Sequence, residues 1–175
     1  MILTELENVT VYRMHVPKWA VKPTSGDGAK KYGGRANRPG IAAIYLSLSI
    51  ETAVKEYQQT SILLPPGTLV SYQVSIKSLV DFRAGFTPSW GPIWEDFYCD
   101  WRELWFNQKI EPPSWVIGDE VVSSVGAKGI LFRSTVNDGG TNLVVYIDKL
   151  SESDSLLPFD PKQSLSELRA SAAHQ

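Results

Sequence analysis

The segment IAAIYLSLSIETAVKEY, residues 41–57, carries the clearest secondary-structure signal in this chain. Over residues 42–47, AAIYLS, side chains alternate between an aliphatic row and a mixed row, which is typical of a strand. Tyr45 belongs to the mixed row. We therefore expect Tyr45 on the opposite face of this strand from Ile44 and Leu46.

The residues that follow predict an amphipathic helix that ends near residue 60. Ser49 is a good N-cap for this helix. Apolar side chains recur at helical spacing at Ile50, Ala53, Val54 and Tyr57. At about 100° per residue, Glu56 lies on the flank of this apolar stripe. Glu56 can therefore face a cleft beside the core.

Further strands are predicted on both sides of this unit, and they outnumber the helices. They cover residues 9–14, 68–76, 79–82, 129–135 and 142–147, with a DGG turn between the last two. Another helix is expected between Pro113 and Gly126. The fold class is therefore α+β rather than a doubly wound sheet. We expect one domain over residues 1–150 and a C-terminal tail over residues 151–175, with a short helix as an option there.

The composition is that of a globular protein and excludes several functional classes. Of the 175 residues, 43% are hydrophobic and 21% are charged, which excludes a disordered, collagenous or coiled-coil chain. The net charge of −2 provides no general attraction to nucleic acid or anionic lipid. Cys99, His15 and His174 can form neither an internal disulfide nor a Cys/His metal cage. Since no signal-peptide or membrane-spanning pattern occurs, we expect a cytoplasmic protein without a metal.

The stretch from Trp90 to Trp115 is crowded with aromatic side chains. Helical spacing relates Trp94, Phe97, Tyr98, Trp101 and Trp105. This spacing favours a helix face packed in the core over a surface on which bases stack.

A polar loop over residues 17–40 is long enough to indicate a site. Its second half, AKKYGGRANRPG, contains no acid, and its cations are Lys30, Lys31, Arg35 and Arg38. Glycine lets backbone N–H groups approach an anion, and arginine offers phosphate two parallel donors. Phosphate binding is one interpretation. A flexible, solvated basic loop is the other, since no P-loop or dinucleotide motif is present.

Three further residues are weak signals when taken one at a time. Glu56 alone is a surface glutamate, and Tyr45 alone is an ordinary strand residue. Ser134 continues the apolar row of Ile130 and Phe132 in the strand GILFRST. Serine hydrolysis is not favoured, because a Gly-x-Ser-x-Gly elbow is missing.

In combination, these motifs resemble the RES-domain toxins of bacterial toxin–antitoxin systems, a family named for characteristic Arg, Glu and Ser residues. The matching segments, in family order, are VYRMH, YGGRANRPG, IYLSLSIETAVKEY, GILFRST and TNLVVY, over about residues 9–147. Family active-site positions fall on Arg35, Tyr45, Glu56 and Ser134. Ala36 departs from the pattern, because the family commonly has an aromatic residue there.

The resemblance implies an ADP-ribosyltransferase-like fold, with two small facing sheets and flanking helices around an NAD cleft. It implies an enzyme that cleaves the nicotinamide–ribose bond of NAD and passes ADP-ribose to water, phosphate or a protein. NAD is then the substrate, with no metal and no direct contact to nucleic acid. The implied partner is a DNA-binding antitoxin of the Xre type, and a homodimer within that complex is a further expectation.

The residue types suit this chemistry, because nicotinamide is a good leaving group and one carboxylate can suffice. In this interpretation Glu56 stabilises the ribosyl cation, and Ser134 positions the substrate or Glu56. Arg35 binds the pyrophosphate, with Arg13 as a second cation, and Tyr45 stacks on nicotinamide or ribose. The residues expected to bind NAD are Arg35, Tyr45, Arg13, Tyr32 and Gly34.

Two other functions stay open at this point. A non-catalytic nucleotide- or RNA-binding module would use the basic loop for phosphates and aromatic side chains for bases. The negative net charge and the core spacing of the aromatic residues oppose it. A domain that only binds a partner has little support, because the four candidate active-site residues are all present.

Overall fold

The computed structural model of this protein describes residues 1–59 and 61–165, in which strands and helices are mixed. The strands are β1 (Leu3–His15), β2 (Ala43–Ser47), β3 (Thr68–Asp81), β4 (Gly129–Arg133), β5 (Thr141–Tyr146) and β6 (Ser155–Pro158). The α-helices are α1 (Asp27–Tyr32), α2 (Ile50–Gln58) and α3 (Pro113–Glu120). Short 3₁₀ helices cover Pro17–Trp19, Pro92–Tyr98 and Ile147–Lys149, and π-helical turns cover Glu103–Gln108 and Val121–Val125. The mixed class of the fold is confirmed.

The described strands form a single sheet that closes on itself. Their order is β1-β2-β5-β4-β3-β6, and an additional pairing of β1 with β3 closes five of them into a barrel. The two facing sheets that the resemblance implies are therefore replaced by one sheet. The reason is the length of β1, which was predicted over residues 9–14 but has 13 residues. It pairs with β3 from Leu3 to His15 and still meets β2 at Tyr12.

Side chains alternate along the barrel strands between two cores. Ile44 and Leu46 of β2 pack with the other aliphatic residues inside the barrel. Ala43 of the same strand belongs to an outer core, between the barrel and the helical layer, and Tyr45 packs against that core. The predicted orientation of Tyr45 is confirmed, and it points this side chain towards the loops outside the barrel.

The aromatic stretch builds the outer core without forming one helix. Its backbone changes from the 3₁₀ helix at Pro92–Tyr98 to the π-helical turn at Glu103–Gln108. Trp94 and Phe97 are buried against Phe82, with ring centroids 4.9 and 5.1 Å from that ring. The core interpretation is confirmed for Trp94, Phe97 and Trp101, but Trp105 is exposed, and the single helical face is wrong. The rings of Trp94 and Phe97 pack in the interior and are not available for base stacking, whereas Trp101 and Phe106 line a cleft.

The helices are short and end where local signals place their ends. At the start of α2 the Ser49 hydroxyl accepts a hydrogen bond from the Thr52 N–H at 3.2 Å, as its N-cap role predicts. The helix predicted after Pro113 ends as α3 at Glu120, and the π-helical turn that follows it ends before Gly126, whose φ of 66° lies in the left-handed region. Within residues 1–59 and 61–165 we find no helix that is both long and apolar enough to cross a bilayer.

Part of the predicted tail belongs to the sheet. β6 pairs antiparallel with Tyr72–Ser75 of β3. The turn before β6 is attached by Asp154, whose carboxylate is 2.5 Å from the ammonium of Lys128. Residues 155–158 are therefore integrated with the barrel. The optional short helix of the tail falls mostly on residues 166–175, which lie outside the described part of the chain.

Candidate active site

A cleft of about 540 Å³ lies between α2, the glycine-containing loop and the outer surface of the barrel. This volume is in the range of small-molecule sites. The predicted site residues that line it are Arg13, Tyr32, Gly34, Arg35, Tyr45 and Glu56. Arg35 and Glu56 thus open onto the same cavity, although 21 positions separate them in the chain.

Glu56 faces the cleft from the flank of α2, and its carboxylate is held from the side of the sheet. Oε1 accepts hydrogen bonds from the Ser134 hydroxyl at 2.8 Å and from the Asn142 side-chain amide at 2.5 Å. Oε2 accepts only a long hydrogen bond, 3.3 Å, from the Gln59 amide within the described residues. The two carboxylate oxygens are therefore unequally occupied.

Ser134 lies one residue beyond the end of β4, which stops at Arg133 and not at the predicted residue 135. Its hydroxyl oxygen accepts the N–H groups of Val136 at 3.2 Å and Asn137 at 3.0 Å. Both lone pairs are then used, so the single hydroxyl proton is donated to Glu56. Ser134 was expected to position either the substrate or Glu56, and the structure places its hydroxyl in contact with Glu56.

Asn142 is the residue of this group that the sequence analysis missed. It lies on β5, directly opposite Ser47 of β2 and Phe132 of β4. Its side-chain oxygen accepts a hydrogen bond from the Ser47 hydroxyl at 2.8 Å, and both residues are buried. The available signal was a polar residue in the otherwise apolar strand TNLVVY, which is weak without knowledge of its neighbours.

Arg35 is held on the opposite side of the cleft by backbone carbonyls. Its Nη1 donates to the carbonyl oxygens of Phe97 at 3.3 Å and Cys99 at 3.1 Å, and the guanidinium lies over the Tyr98 ring, 5.7 Å from the centroid. Burial lowers the pKa of Arg35, while negative charge on neighbouring groups, including Glu56, opposes that shift. Arginine nevertheless stays protonated in proteins. No carboxylate of the described residues is paired with it, so its charge is available to an anionic ligand.

The loop that carries Arg35 is fixed by Tyr45. The Tyr45 hydroxyl accepts the Ala36 N–H at 2.9 Å and donates to the Asn37 side-chain oxygen at 2.7 Å. Burial raises the pKa of Tyr45, so its hydroxyl keeps the proton that it donates. Asn37 is buried and donates in turn to carbonyls of the same loop. Hydrogen bonds therefore hold the loop around Arg35, whereas Lys30 and Lys31 are solvated, as the second interpretation of the basic stretch expects.

The loop glycines are required by packing. The Gly33 N–H donates to the Ala29 carbonyl at 2.8 Å, and the Gly34 N–H donates to the Asn37 carbonyl at 2.9 Å. These two N–H groups are not free for an anion, in contrast to the expectation. A Cβ on Gly33 would lie 2.7 Å from the Trp115 ring, and one on Gly34 would lie 2.6 Å from the Tyr45 ring. The glycines let these rings approach the backbone.

The remaining cations of the loop point elsewhere. Arg38 forms ion pairs with Asp119 at 2.5 Å and Glu111 at 3.0 Å, and it does not line the cleft. Lys30 and Lys31 also lie outside the cleft lining. Of the four positive charges in the basic stretch, only that of Arg35 serves the cavity.

Other parts of the chain supply further positive charge to the cleft. Arg13, on β1, has a buried Nη1 atom without a hydrogen-bond partner among the described residues. Burial lowers the pKa of Arg13. The charged lining residues are Arg13, Arg35, Arg102 and Arg133 against the single acid Glu56. The cleft therefore favours an anionic ligand, although the whole chain carries a net charge of −2.

Comparison with known proteins identifies the family. The family model described as "RES domain" matches residues 10–163. This chain belongs to the RES-domain family. Its RES domain is 26% identical over 138 residues to "Toxin Res" of Yersinia enterocolitica serotype O:8 / biotype 1B, covering 77% of this chain and 82% of that protein. The match to the family includes β6, beyond the boundary expected at residue 150.

A solved structure has a similar fold. The RES domain matches a chain in the crystal structure of the M. tuberculosis MbcT–MbcA toxin–antitoxin complex with a TM-score of 0.59 and 18% sequence identity. The similarity covers 96% of this chain and 92% of that one. In the described part of the RES domain, no three His, Cys, Asp or Glu side chains form a group suited to a metal ion.

Proposed function

We propose that this RES domain is the toxin of a toxin–antitoxin pair and that it cleaves the nicotinamide–ribose bond of NAD. The observation that carries the proposal is the lone Glu56 carboxylate, held by two donors, in a cleft whose other charged lining residues are arginines. The family, and the two relatives named as a toxin and a toxin–antitoxin complex, support the same function.

The cleavage requires stabilisation of a cation more than it requires an acid. The bond between ribose C1′ and the nicotinamide nitrogen breaks with both electrons going to nicotinamide, which leaves as a neutral molecule. Positive charge develops on the ribose, as in other glycoside cleavages. Glu56 stabilises this charge. A unit-charge pair at about 4 Å and an effective dielectric constant of about 20 is worth roughly 4 kcal/mol, or about a thousandfold in rate.

The other lining residues bind the substrate. Arg35 and Arg13 contact the pyrophosphate, and the unpartnered Nη1 of Arg13 gains the acceptor that it lacks. The Tyr45 hydroxyl is engaged with the loop, so the ring orients nicotinamide or ribose by stacking. Tyr32 and Gly34 complete the lining on the loop side of the cleft, and Gly34 contributes van der Waals contact because its N–H and carbonyl are already hydrogen-bonded.

The wider setting belongs to the same proposal. The barrel and its cleft are an ADP-ribosyltransferase-like site, in which water, phosphate or a protein accepts ADP-ribose. The partner is a DNA-binding antitoxin of the Xre type, the toxin forms a homodimer in that complex, and it acts on NAD in the cytoplasm.

The test is release of free nicotinamide from NAD by the purified full-length chain. We expect Glu56→Gln to lower kcat about a thousandfold, because the amide loses the negative charge. Glu51→Gln is the matched control, since Glu51 lies on the same helix, is exposed and pairs with Lys55. Wild-type kcat in Glu56→Gln would reject the proposed role of Glu56. Product analysis with and without inorganic phosphate distinguishes hydrolysis from phosphorolysis.

A further inference from the structure

We propose that Asn142 is a positioning residue, which turns the Glu56 carboxylate so that Oε2 meets the substrate while Oε1 stays bound to the sheet. This inference rests on the proposed cleavage of NAD. It assigns a role to a buried amide that the sequence did not single out, and it specifies the reacting oxygen of Glu56.

The first step of the argument is the capacity of the two carboxylate oxygens. Each can accept about two hydrogen bonds. Oε1 already accepts two, from Ser134 and Asn142. Within residues 1–59 and 61–165, Oε2 has only the 3.3 Å contact from Gln59, a side chain that is exposed. The oxygen with lone pairs to offer a ribosyl cation is therefore Oε2.

The second step is the orientation of the Asn142 amide. Its oxygen accepts from Ser47, so its NH₂ group is directed at Glu56. The reverse orientation would place the amide oxygen against a carboxylate oxygen, which is repulsive. Ser47 is 3% exposed and Asn142 is 6% exposed, so bulk water cannot readily replace either partner. The donor thus has one favourable direction.

The third step is the rigidity of the support. Ser134 belongs to a turn that follows β4, whereas Asn142 lies on β5 between two hydrogen-bonded neighbours, β2 and β4. A donor on a strand inside the sheet is held more precisely than a donor on a loop. The barrel therefore sets the angle of the Glu56 carboxylate through Asn142, and Ser134 adds a second donor to the same oxygen.

The kinetic test uses Asn142→Leu, which keeps the approximate size, removes the donor and adds no charge beside Glu56. Because hydrogen bonds to charged groups are the strong ones, we expect kcat for nicotinamide release to fall about 10- to 100-fold. KM should change less than about threefold if Asn142 acts through Glu56. Ser47→Ala removes only the hydrogen bond from the Ser47 hydroxyl to the Asn142 side-chain oxygen, and it should lower kcat by about fivefold. An unchanged kcat in both variants, or a rise in KM alone, would overturn the proposal.

A second measurement does not depend on activity or on the stability of Asn142→Leu. In ¹⁵N-labelled full-length protein, the Asn142 side-chain NH₂ signals should shift in Glu56→Gln and stay in place in Glu51→Gln. Unshifted signals in Glu56→Gln would reject the contact itself. If the signals shift and the wild-type protein releases no nicotinamide, the contact stands and the assignment of NAD as substrate fails.

Discussion

The two sides of the cleft hold their charged residues by different means. On the loop wall, residues 33–37, the Arg35 guanidinium is fixed by carbonyl oxygens and an aromatic ring, and the backbone is clamped by packed side chains. The Trp115 indole donates to the Gly34 carbonyl at 2.7 Å as part of that clamp. The sheet wall is formed by Asn142 of β5 and by Ser134 after β4, which face α2. There, the side-chain donors of Ser134 and Asn142 fix the Glu56 carboxylate.

This difference follows from the backbone that each wall is built on. An irregular loop cannot pair its own polar groups as a sheet does, so other elements must supply partners and fill the space around it. The strands under the sheet wall are already paired, and only the direction of a few side chains has to be set. The loop wall should therefore be sensitive to volume, and the sheet wall to hydrogen-bonding groups.

The largest effect is expected from added volume behind the loop wall, in Gly118→Ala. A Cβ at Gly118 of α3 would lie 2.8 Å from the Ala36 carbonyl carbon and closer still to its oxygen. We expect the free energy of unfolding to fall by about 3 kcal/mol and the melting temperature by about 6–12 °C. Thermal denaturation measures both.

The control for that substitution is Gly28→Ala in α1, where a Cβ would meet no atom within 4 Å. Since alanine favours a helix over glycine, this variant should be as stable as the wild type or up to about 1 kcal/mol more stable. Equal stability of both variants would mean that the loop wall is not closely packed, and the contrast between the walls would be lost.

An intermediate effect on stability is expected from protonation of His15 at low pH. His15 ends β1, a strand that contributes Arg13 to the cleft without belonging to either wall. Burial, and next the charge of Arg13, lower the pKa of His15 to about 4 from its usual 6.5. Stability from neutral His15 is then complete above about pH 6.5 and is lost as the pH falls towards 4. At about 1.4 kcal/mol per pH unit, the free energy of unfolding should fall by about 2 kcal/mol between about pH 6.5 and 5.

The measurement is denaturant unfolding of the wild type and His15→Gln at several pH values. Glutamine keeps a polar group near the Tyr72 hydroxyl, which lies 2.6 Å from the His15 ring nitrogen, but it does not titrate. The pH dependence should be flatter in the variant. Parallel curves for the two proteins would show that His15 is not the group responsible.

The smallest effect is expected from Arg35→Lys on the loop wall. Lysine keeps the charge but lacks the two-pronged donor that suits phosphate. We expect KM for NAD to rise about tenfold with kcat nearly unchanged, as measured by nicotinamide release. Arg38→Lys, three residues further along and paired with surface acids, should leave KM unaltered. If the two lysine variants behave alike, Arg35 does not contact the substrate.

Local patterns predicted much of the structure correctly. The alternation over β2 and the periodicity of α2 placed Tyr45 towards the outer core and Glu56 on the cleft side of its helix. These predictions hold because side-chain direction in strands and helices depends on the residue's own position in a regular element. The same reasoning failed for the single aromatic helix, since tertiary packing there overrides helical spacing.

The division of the four loop cations could not be predicted locally. Arg35 and Arg38 have the same charge and lie three positions apart, yet one lines the cleft and the other pairs with Asp119. Arg35 is bound by the carbonyls of Phe97 and Cys99, and Arg38 is bound by a carboxylate of α3. All of these partners lie far along the chain. Likewise, the closure of the barrel depends on the pairing of β1 with β3, which no local pattern specifies.

The amino-acid sequence by itself determined the strand and helix of residues 43–58, the family, and the residue types that a cation-stabilising site needs. Only the tertiary structure decided that Oε1 of Glu56 accepts two hydrogen bonds, whereas Oε2 accepts one long hydrogen bond from the described residues. The donors to Oε1 come from residues 78 and 86 positions away, on a turn and a strand that the fold brings next to α2. Periodicity is a property of neighbouring residues, whereas the direction of a hydrogen bond depends on where distant backbone segments are packed.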